Sequence, residues 1–502
     1  MIRTRLPCFI ICCFIGFLVN AQAIQPLLNE PHRPRFHFSP KSNWMNDPNG
    51  LIFYKGTYHL FFQHFPGATV WGPMHWGHAT SPDLVHWEQQ SIKLYPDSLG
   101  YIFSGSTVLD LDNTSGFGKK DNPPMVAIFT HHDPKGEKAS TNDFQSQSLA
   151  YSTDAGDTWT KYKNNPVLKS PGIRDFRDPK VSWFEPAKKW IMTLAAGDRI
   201  VFYSSSDLKN WSKESEFGMT LGAHGGVWEC PDLIELNHQG KKLWVLLISI
   251  GSGGPNGGSA TQYFIGHFNG KTFIPSDTST RFVDYGTDNY AGVTFSNTGS
   301  RKIFMGWMSN WQYAQVVPTD RWRSAMTVPR DLFIKPIKNK PYLASRPVKE
   351  LGLRMKDPVL LRNVYIKGKF DLRSKINEMS AVFSLQISSA EARNFKIVLS
   401  NDAGEQIRVG YDRATNRYYM DRTQSGKIDF SPSFGTIHFA PRYVTGPIRL
   451  TLLVDVASLE LFSDDGVSVM TDIFFPNQPM NMVYIQSDEG IKIKKMRYHK
   501  IE

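Results

Sequence analysis

The chain has 502 residues, is 41% hydrophobic and 21% charged, and carries a formal net charge of +11. Its length and apolar content allow more than one globular domain and exclude a disordered, low-complexity chain. Its lysines and arginines are spread out, with few runs such as Lys492-Ile493-Lys494-Lys495, so the excess reads as solvated surface and no nucleic-acid partner is expected.

The first 23 residues read as a cleavable signal peptide. Arg3 and Arg5 supply a positive start, residues 8–19 are apolar and uncharged, and Ala21-Gln22-Ala23 fits a small-x-small cleavage site. The apolar run is too short for a comfortable membrane span, so the chain is not expected to be an integral membrane protein. Cys12 follows Ile11 and Cys13 follows Cys12, where a lipoprotein signal needs a small residue, so lipidation is the weaker option. The expected location is secreted or periplasmic. Cys8, Cys12 and Cys13 fall in the leader, and removing its two arginines lowers the charge to +9. The mature chain keeps only Cys230, forms no intramolecular disulfide, and must be stabilised by a large core.

Residues 36–335 consist of short apolar or aromatic runs separated by Gly, Pro, Asn and Asp turns, with hardly any helical periodicity, and read as all-β. The runs 50–54, 58–63, 125–130, 190–195, 243–250 and 302–308 are predicted strands. Trp44-Met45-Asn46-Asp47-Pro48-Asn49-Gly50 sets a carboxylate in a turn of conformationally special residues. A weak repeat follows: a Ser/Thr-Asp turn leads to a tryptophan at Trp87, Trp159 and Trp211, and Asn269 to Phe273 replaces it in a fourth copy. After each marker comes a polar motif: Phe103-Ser104-Gly105-Ser106, Arg177-Asp178-Pro179, Trp228-Glu229-Cys230-Pro231 and Asp288-Asn289-Tyr290. If each marker lies between the third and fourth strands of a blade, each motif opens the next innermost strand. With Asn46-Asp47 this makes five openings, and a five-bladed β-propeller of about 60 residues per blade fills residues 24–335.

Residues 336–358 are basic and punctuated by Pro336, Pro341, Pro347 and Pro358, and read as a linker. Alternating runs from 359 to 502 predict a β-sandwich with no polar cluster assignable to chemistry, an accessory or packing domain.

Asp47, Asp178 and Glu229 open three inferred inner strands and should face one cavity. Two carboxylates flanking a bond are the usual equipment for glycoside cleavage. The motif around Asp47, Arg177-Asp178-Pro179 and Glu229-Cys230 resemble, in order and spacing, the signature motifs of glycoside hydrolase family 32, the invertase, inulinase and levanase family. Supporting stretches are Phe62-Gln63, Trp71-Gly72-Pro73-Met74-His75-Trp76-Gly77-His78, Phe103-Ser104-Gly105, Gly306-Trp307-Met308-Ser309-Asn310-Trp311, Asp421-Arg422-Thr423 and Glu460-Leu461-Phe462. The resemblance covers nearly the whole mature chain and implies a propeller followed by a sandwich. It makes Asp47 the nucleophile, Glu229 the general acid/base and Asp178 the transition-state stabiliser holding fructose hydroxyls. It adds Trp44, Asn46, Gln63, Trp71, Phe103, Ser104, Arg177 and Trp307 as substrate-binding residues.

The implied activity is that of a retaining β-fructosidase releasing terminal fructose from levan, inulin, fructo-oligosaccharides or sucrose. A fructosyltransferase on the same carboxylates and an endo-acting fructanase are the alternatives. The form Met45-Asn46-Asp47 leans toward exo action. Phe62-Gln63-His64-Phe65-Pro66 and Asp288-Asn289-Tyr290 depart from the commoner forms of their motifs and are expected near the pocket rim, where they bear on linkage preference. Arg177 and Asp178, adjacent on a strand, should point to opposite faces and not pair. His75 and His78 lie in an aromatic strand without a third ligand and read as packing, and no metal or cofactor is expected. Residues 251–258, rich in glycine, lack the lysine and helix of a phosphate loop and read as a mobile loop.

Overall fold

The computed structural model describes residues 30–119, 121–376, 380 and 382–502; the leader read at 1–23 lies outside them. Five antiparallel four-stranded blades stand around an axis. Their innermost strands are Asn43–Tyr54, Tyr101–Leu109, Phe176–Phe184, Trp228–His238 and Tyr290–Thr294. The ring closes where Asn43 and Trp44 pair in parallel with Trp322 and Arg323 of the fifth blade's long connection.

The tryptophan markers are one turn made three times, between the third and fourth strands of the first three blades. Asp83, Asp154 and Asp207 each bond the hydroxyl two residues earlier, at 3.2, 2.7 and 3.0 Å. Each carboxylate also accepts backbone N–H groups ahead of it. The tryptophan closes the turn by donating its indole N–H to the carbonyl of Leu84, Gly156 or Leu208. Asn269 accepts two backbone N–H groups in the fourth copy, the same side-chain mimicry of a backbone turn.

The stretch 336–358, expected as a linker, is a correction. Arg330–Ile337 and Lys340–Pro347 form the outer hairpin of the fifth blade, Lys349–Arg354 is a 3-10 turn, and Met355 opens the second domain. Lys338 and Asn339 both have positive φ, as a type I′ hairpin turn requires. Pro336 and Pro341 face each other beside that turn. Pro341 lies on the outermost strand and Pro336 lies beyond Arg330 and Asp331, where the third strand pairs with the second, so their missing N–H groups are tolerable and proline content mimics a connector.

The second domain is a two-layer β-sandwich whose strands share one continuous hydrogen-bonded ladder. The 20-residue strand Met482–Ile501 joins the layers: its first residues pair with Phe395–Ser400 and its last with Phe383–Ser389. It turns at Gly490 (φ +84), opposite an irregularity between Ile366 and Gly368 (φ +73) of the strand Met355–Asp371. A continuous apolar core, including Leu385, Ile397, Val409, Met420, Leu452 and Ile485, lies between the layers.

Ionic groups, all buried, fasten sandwich to propeller. Arg330 bonds Asp284 at 2.9 Å, Thr471 at 2.7 Å and Glu460. Arg422 bonds Asp288 at 2.8 Å, Tyr313 at 3.0 Å and the Phe434 carbonyl at 2.6 Å. His37 sits between Asp455 and Glu460, 2.7 Å from each. Burial alone would depress His37, but the hydrogen bonds and charges of the two carboxylates outweigh it and raise it to about 9. The folded value exceeds the ordinary one, so this stabilisation is complete below about pH 6.5 and is lost as pH rises through about 9. Urea denaturation should therefore give about 3 kcal/mol less stability at pH 9.5 than at pH 6, and His37→Gln should remove most of that difference.

Candidate active site

Each inner strand carries an irregularity where it meets the axis, with two residues opposing one on the neighbouring strand. The breaks fall between Met45 and Pro48, Ile102 and Gly105, Arg177 and Lys180, Glu229 and Asp232, and Tyr290 and Val293. A bulge interrupts strict alternation and re-aims side chains. In the last three blades its first residue, Asp178, Cys230 or Ala291, has φ of +65, +44 or +54. Such a conformation costs energy for a residue with a Cβ and persists only when surroundings enforce it. Asp178 shows the enforcement: its N–H donates to Thr130 Oγ1 at 3.0 Å, and its Oδ2 accepts from the Cys230 N–H at 3.1 Å.

The bulges turn Asn46, Asp47, Ser104, Arg177, Asp178 and Glu229 into one cavity of about 190 Å³, walled by Gln63, Trp71, Phe103 and Trp311. Asp47 Oδ1 accepts from the Asn46 amide at 3.0 Å and Oδ2 from the Ser104 hydroxyl at 2.8 Å. The Cys230 thiol lies 3.5 Å from Asp47 Oδ2 and 3.6 Å from Asp178 Oδ2. Glu229 is held differently: Arg177 donates twice to Oε1, at 2.9 and 3.1 Å, and the Tyr290 hydroxyl donates to Oε2. Arg177 also donates to Asp175 at 2.6 Å.

Arg177 Nε stands 3.9 Å from Asp178 Oδ2, against the expectation from strand alternation. The bulge at Asp178 breaks that alternation and brings both side chains to one side, although the main partners of Arg177 are Glu229 and Asp175.

Burial raises the Asp47 carboxyl, the charge of Glu229 adds to the rise, and the Ser104 and Asn46 donors oppose it. Burial also pushes Asp178 up to about 7; Arg177 opposes this, while Glu229 and Asp47 reinforce it. Burial and the Glu229 charge lift the Tyr290 hydroxyl well above its ordinary range, so it stays a donor.

Trp44 and Trp307 were expected against substrate but are fully buried and stand behind the cavity. Trp44 donates to Asn46 Oδ1 at 2.7 Å and stacks on Trp311, the indole that does reach the cavity. Trp307 packs on Trp311 and Tyr290. Both brace residues that line the site. The two departing motifs are mostly packing as well. His64 is buried with Nδ1 2.7 Å from the Trp44 carbonyl, and Asp288 is spent on Arg422. Tyr290, named only as part of a motif, is the residue of that group that contacts a proposed catalytic carboxylate.

His132, Glu137, Gln145 and Asp175 also line the cavity, outside every sequence motif above. His132 stacks on Phe103 at 4.2 Å and contacts Glu137 at 3.1 Å and Gln145 at 3.2 Å. His132, Glu137 and Gln145 lie away from the inner-strand openings, so motif spacing carries no signal for them, and the connection after Met125–His132 assembles them; Asp175 stands just ahead of the inner strand Phe176–Phe184, outside the Arg177-Asp178-Pro179 motif. His75 bonds the Pro73 carbonyl, and His78 faces His59 and stacks on Phe61.

Two carboxylates held by separate hydrogen-bond sets around one cavity are the usual equipment for glycoside cleavage. The fold and site therefore define a glycoside hydrolase. Residues 37–347 match the glycosyl hydrolases family 32 N-terminal domain, and residues 361–500 match the family 32 C-terminal domain. The chain is 44% identical over 490 residues to a levanase of Bacillus subtilis strain 168, covering 94% of this chain and 71% of that protein. It is 39% identical over 487 residues to the extracellular exo-inulinase InuE of Aspergillus ficuum, covering 89% and 90%. Its structure resembles the exo-inulinase of Aspergillus awamori with a TM-score of 0.86 at 35% identity, covering 94% and 99%. It also resembles a fructofuranosidase from Schwanniomyces occidentalis complexed with fructosylnystose, with a TM-score of 0.86 at 33% identity, covering 94% and 98%. The chain belongs to glycosyl hydrolase family 32.

Tyr290→Phe removes one donor to Glu229 without changing the ring that packs on Trp307. Its kcat/KM should fall by about 10-fold, the worth of one buried hydrogen bond, with KM little altered. Steady-state kinetics on sucrose measures both.

Proposed function

We propose that the protein is a secreted or periplasmic, retaining β-fructosidase that hydrolyses terminal fructosyl units of levan, inulin, fructo-oligosaccharides or sucrose. The observation that carries this reading is the separation of Asp47, held by Asn46 and Ser104, from Glu229, held by Arg177 and Tyr290, around one cavity. Asp47 attacks the anomeric carbon of the fructosyl unit while Glu229 gives its proton to the departing oxygen, so the glycosidic bond breaks as an ester to Asp47 forms. Glu229 then takes a proton from water, which displaces the ester and releases fructose. Asp178 binds ring hydroxyls and supports the positive charge of the oxocarbenium-like transition state. Gln63, Trp71, Phe103 and Arg177 complete the binding wall, and Trp44 and Trp307 support it from behind.

Exo action has its own structural support. Past the carboxylates, Asp232 Oδ2 accepts from the Thr294 N–H and hydroxyl, both at 2.7 Å, and lies 3.3 Å from Lys180 Nζ. This clasp joins three inner strands across the axis and favours a pocket that takes a chain end over a through-channel. Among the described residues no helix is long and apolar enough to cross a membrane. A time course on levan, inulin and sucrose with product sizing tests the proposal. Free fructose should appear first; early oligomers would mean endo action, and longer products at high sucrose would mean fructosyl transfer.

A further inference from the structure

The outer face of one sandwich layer carries an aromatic surface that the catalytic reading does not use. The strands Phe395–Ser400, Gln406–Asp412, Arg417–Gln424 and Ile437–Pro441 lie side by side there. Across them, Lys396, Gly410, Tyr419 and Phe439 form one register row, continued by Gln486. Gly410 is the key position: a methyl group on it would stand 2.6 Å from Cζ and the hydroxyl of Tyr419. The hydroxyl end of the Tyr419 ring therefore lies over the glycine on the outer face of the sheet, where the side chain is half-buried. Beside it Phe439 and Ile437 are exposed at 38% and 44%, and the groove they help to form measures about 470 Å³.

We infer that this groove is a second saccharide site, taking uncharged fructan chains away from the catalytic cavity; the inference rests on the fructosidase reading above. Aromatic faces pack against the C–H faces of sugars, while flanking polar groups bond hydroxyls. Tyr419 and Phe439 supply the first, and Gln486, Lys396 and the Asp421–Arg408 pair at 2.7 Å supply the second. Asp412, Asp421, Asp488 and Glu489 all line the groove, which disfavours a polyanion. Two exposed apolar side chains are too few for the buried centre of a protein interface.

The fold also brings the groove near the cavity. Asn256 donates to the Phe439 carbonyl at 2.9 Å and accepts from the Phe439 N–H at 3.0 Å, capping the edge strand as another strand would. The glycine-rich segment 251–258, expected to be mobile, is thus pinned to the sandwich. At its start, a methyl group on Gly251 would stand 3.8 Å from Glu229 Oε2. Asn256 is five residue steps along the chain from Gly251, and an extended chain advances at most about 3.6 Å per step, so the two lie within roughly 18 Å. A polymer held in the groove keeps its chain ends concentrated at the catalytic cavity.

The experiment uses the full chain with Tyr419→Ala and Phe439→Ala, separately and together. In the Asp47→Asn background, electrophoresis through gels containing levan or inulin should show binding weakened by about 5-fold per lost aromatic contact. In the otherwise wild-type enzyme, kcat/KM should fall on the polymers and stay unchanged on sucrose, which is too short to span both sites. Unchanged binding and polymer kinetics would overturn the inference. Equal losses on sucrose and polymer would also overturn it, because the substitution would then act through the fold or the cavity. Failure of the unsubstituted enzyme to release fructose from any of these substrates would instead overturn the proposed function, and the gel result reads independently of it.

Discussion

Asp47→Asn is expected to lower kcat by about 10,000-fold, ~5.5 kcal/mol of transition-state stabilisation, while the folded state stays intact. Asparagine keeps the shape, accepts from Asn46 through its one amide oxygen and meets Ser104 with its NH2 donating to a hydroxyl that reverses its role, but it supplies no nucleophilic oxygen anion. The stability side of the substitution has a definite sign. Burial and the charge of Glu229 raise the Asp47 carboxyl above its ordinary range, so at neutral pH the ionised form is less comfortable folded than unfolded. A neutral isostere removes that cost, and the Tm of the variant should equal or exceed that of the parent. Calorimetry with kinetics on sucrose checks both halves, and near-normal turnover would sink the assignment. A stable but inactive variant is the pattern expected where a site holds a charge for chemistry and against folding.

Glu229→Ala is expected to cut turnover of natural fructosides by about 1,000-fold, within the range of general acid/base catalysis, and to spare activated fructosides more. The reason lies in the leaving group: an activated one departs without a proton, so only the second step still lacks its base. Azide should then replace water at the covalent intermediate and restore turnover of the activated substrate, giving a fructosyl azide of retained configuration. No rescue on such a substrate would count against Glu229. The cavity left by the side chain borders Arg177 and Tyr290, whose donors both pointed at the lost carboxylate. An anion the size of azide meets two ready partners there.

Much of the fold and of the placement of the candidate site was legible because both follow the repeat. The tryptophan turns mark the third-to-fourth-strand hairpins of three blades, and the polar motif after each marker opens the next inner strand. The acids Asp47, Asp178 and Glu229 were readable by that position. The fifth blade was harder: its outer hairpin carries Pro336 and Pro341 beside the turn, beyond the pairing with the second strand, so composition mimicked a linker. The tryptophans were harder still. Trp44 and Trp71 flank motifs in the same way, yet Trp44 is fully buried and Trp71 lines the cavity; nothing local distinguishes an indole that faces sugar from one that braces its neighbour.

The sequence by itself determined an all-β chain, its five inner-strand openings and the three carboxylates placed on them, because alternation, turn chemistry and motif spacing are local properties. Only the tertiary structure decided which way those side chains point. Five bulges break strand alternation at the axis, bring Arg177 and Asp178 to one side, and aim Arg177 and Tyr290 from two other blades at Glu229. The physical reason is that a bulge and a positive φ at a residue such as Asp178 are imposed from outside the segment, here by Thr130 and the Cys230 N–H. Those partners lie 48 and 52 residues away along the chain and meet Asp178 only when the propeller closes.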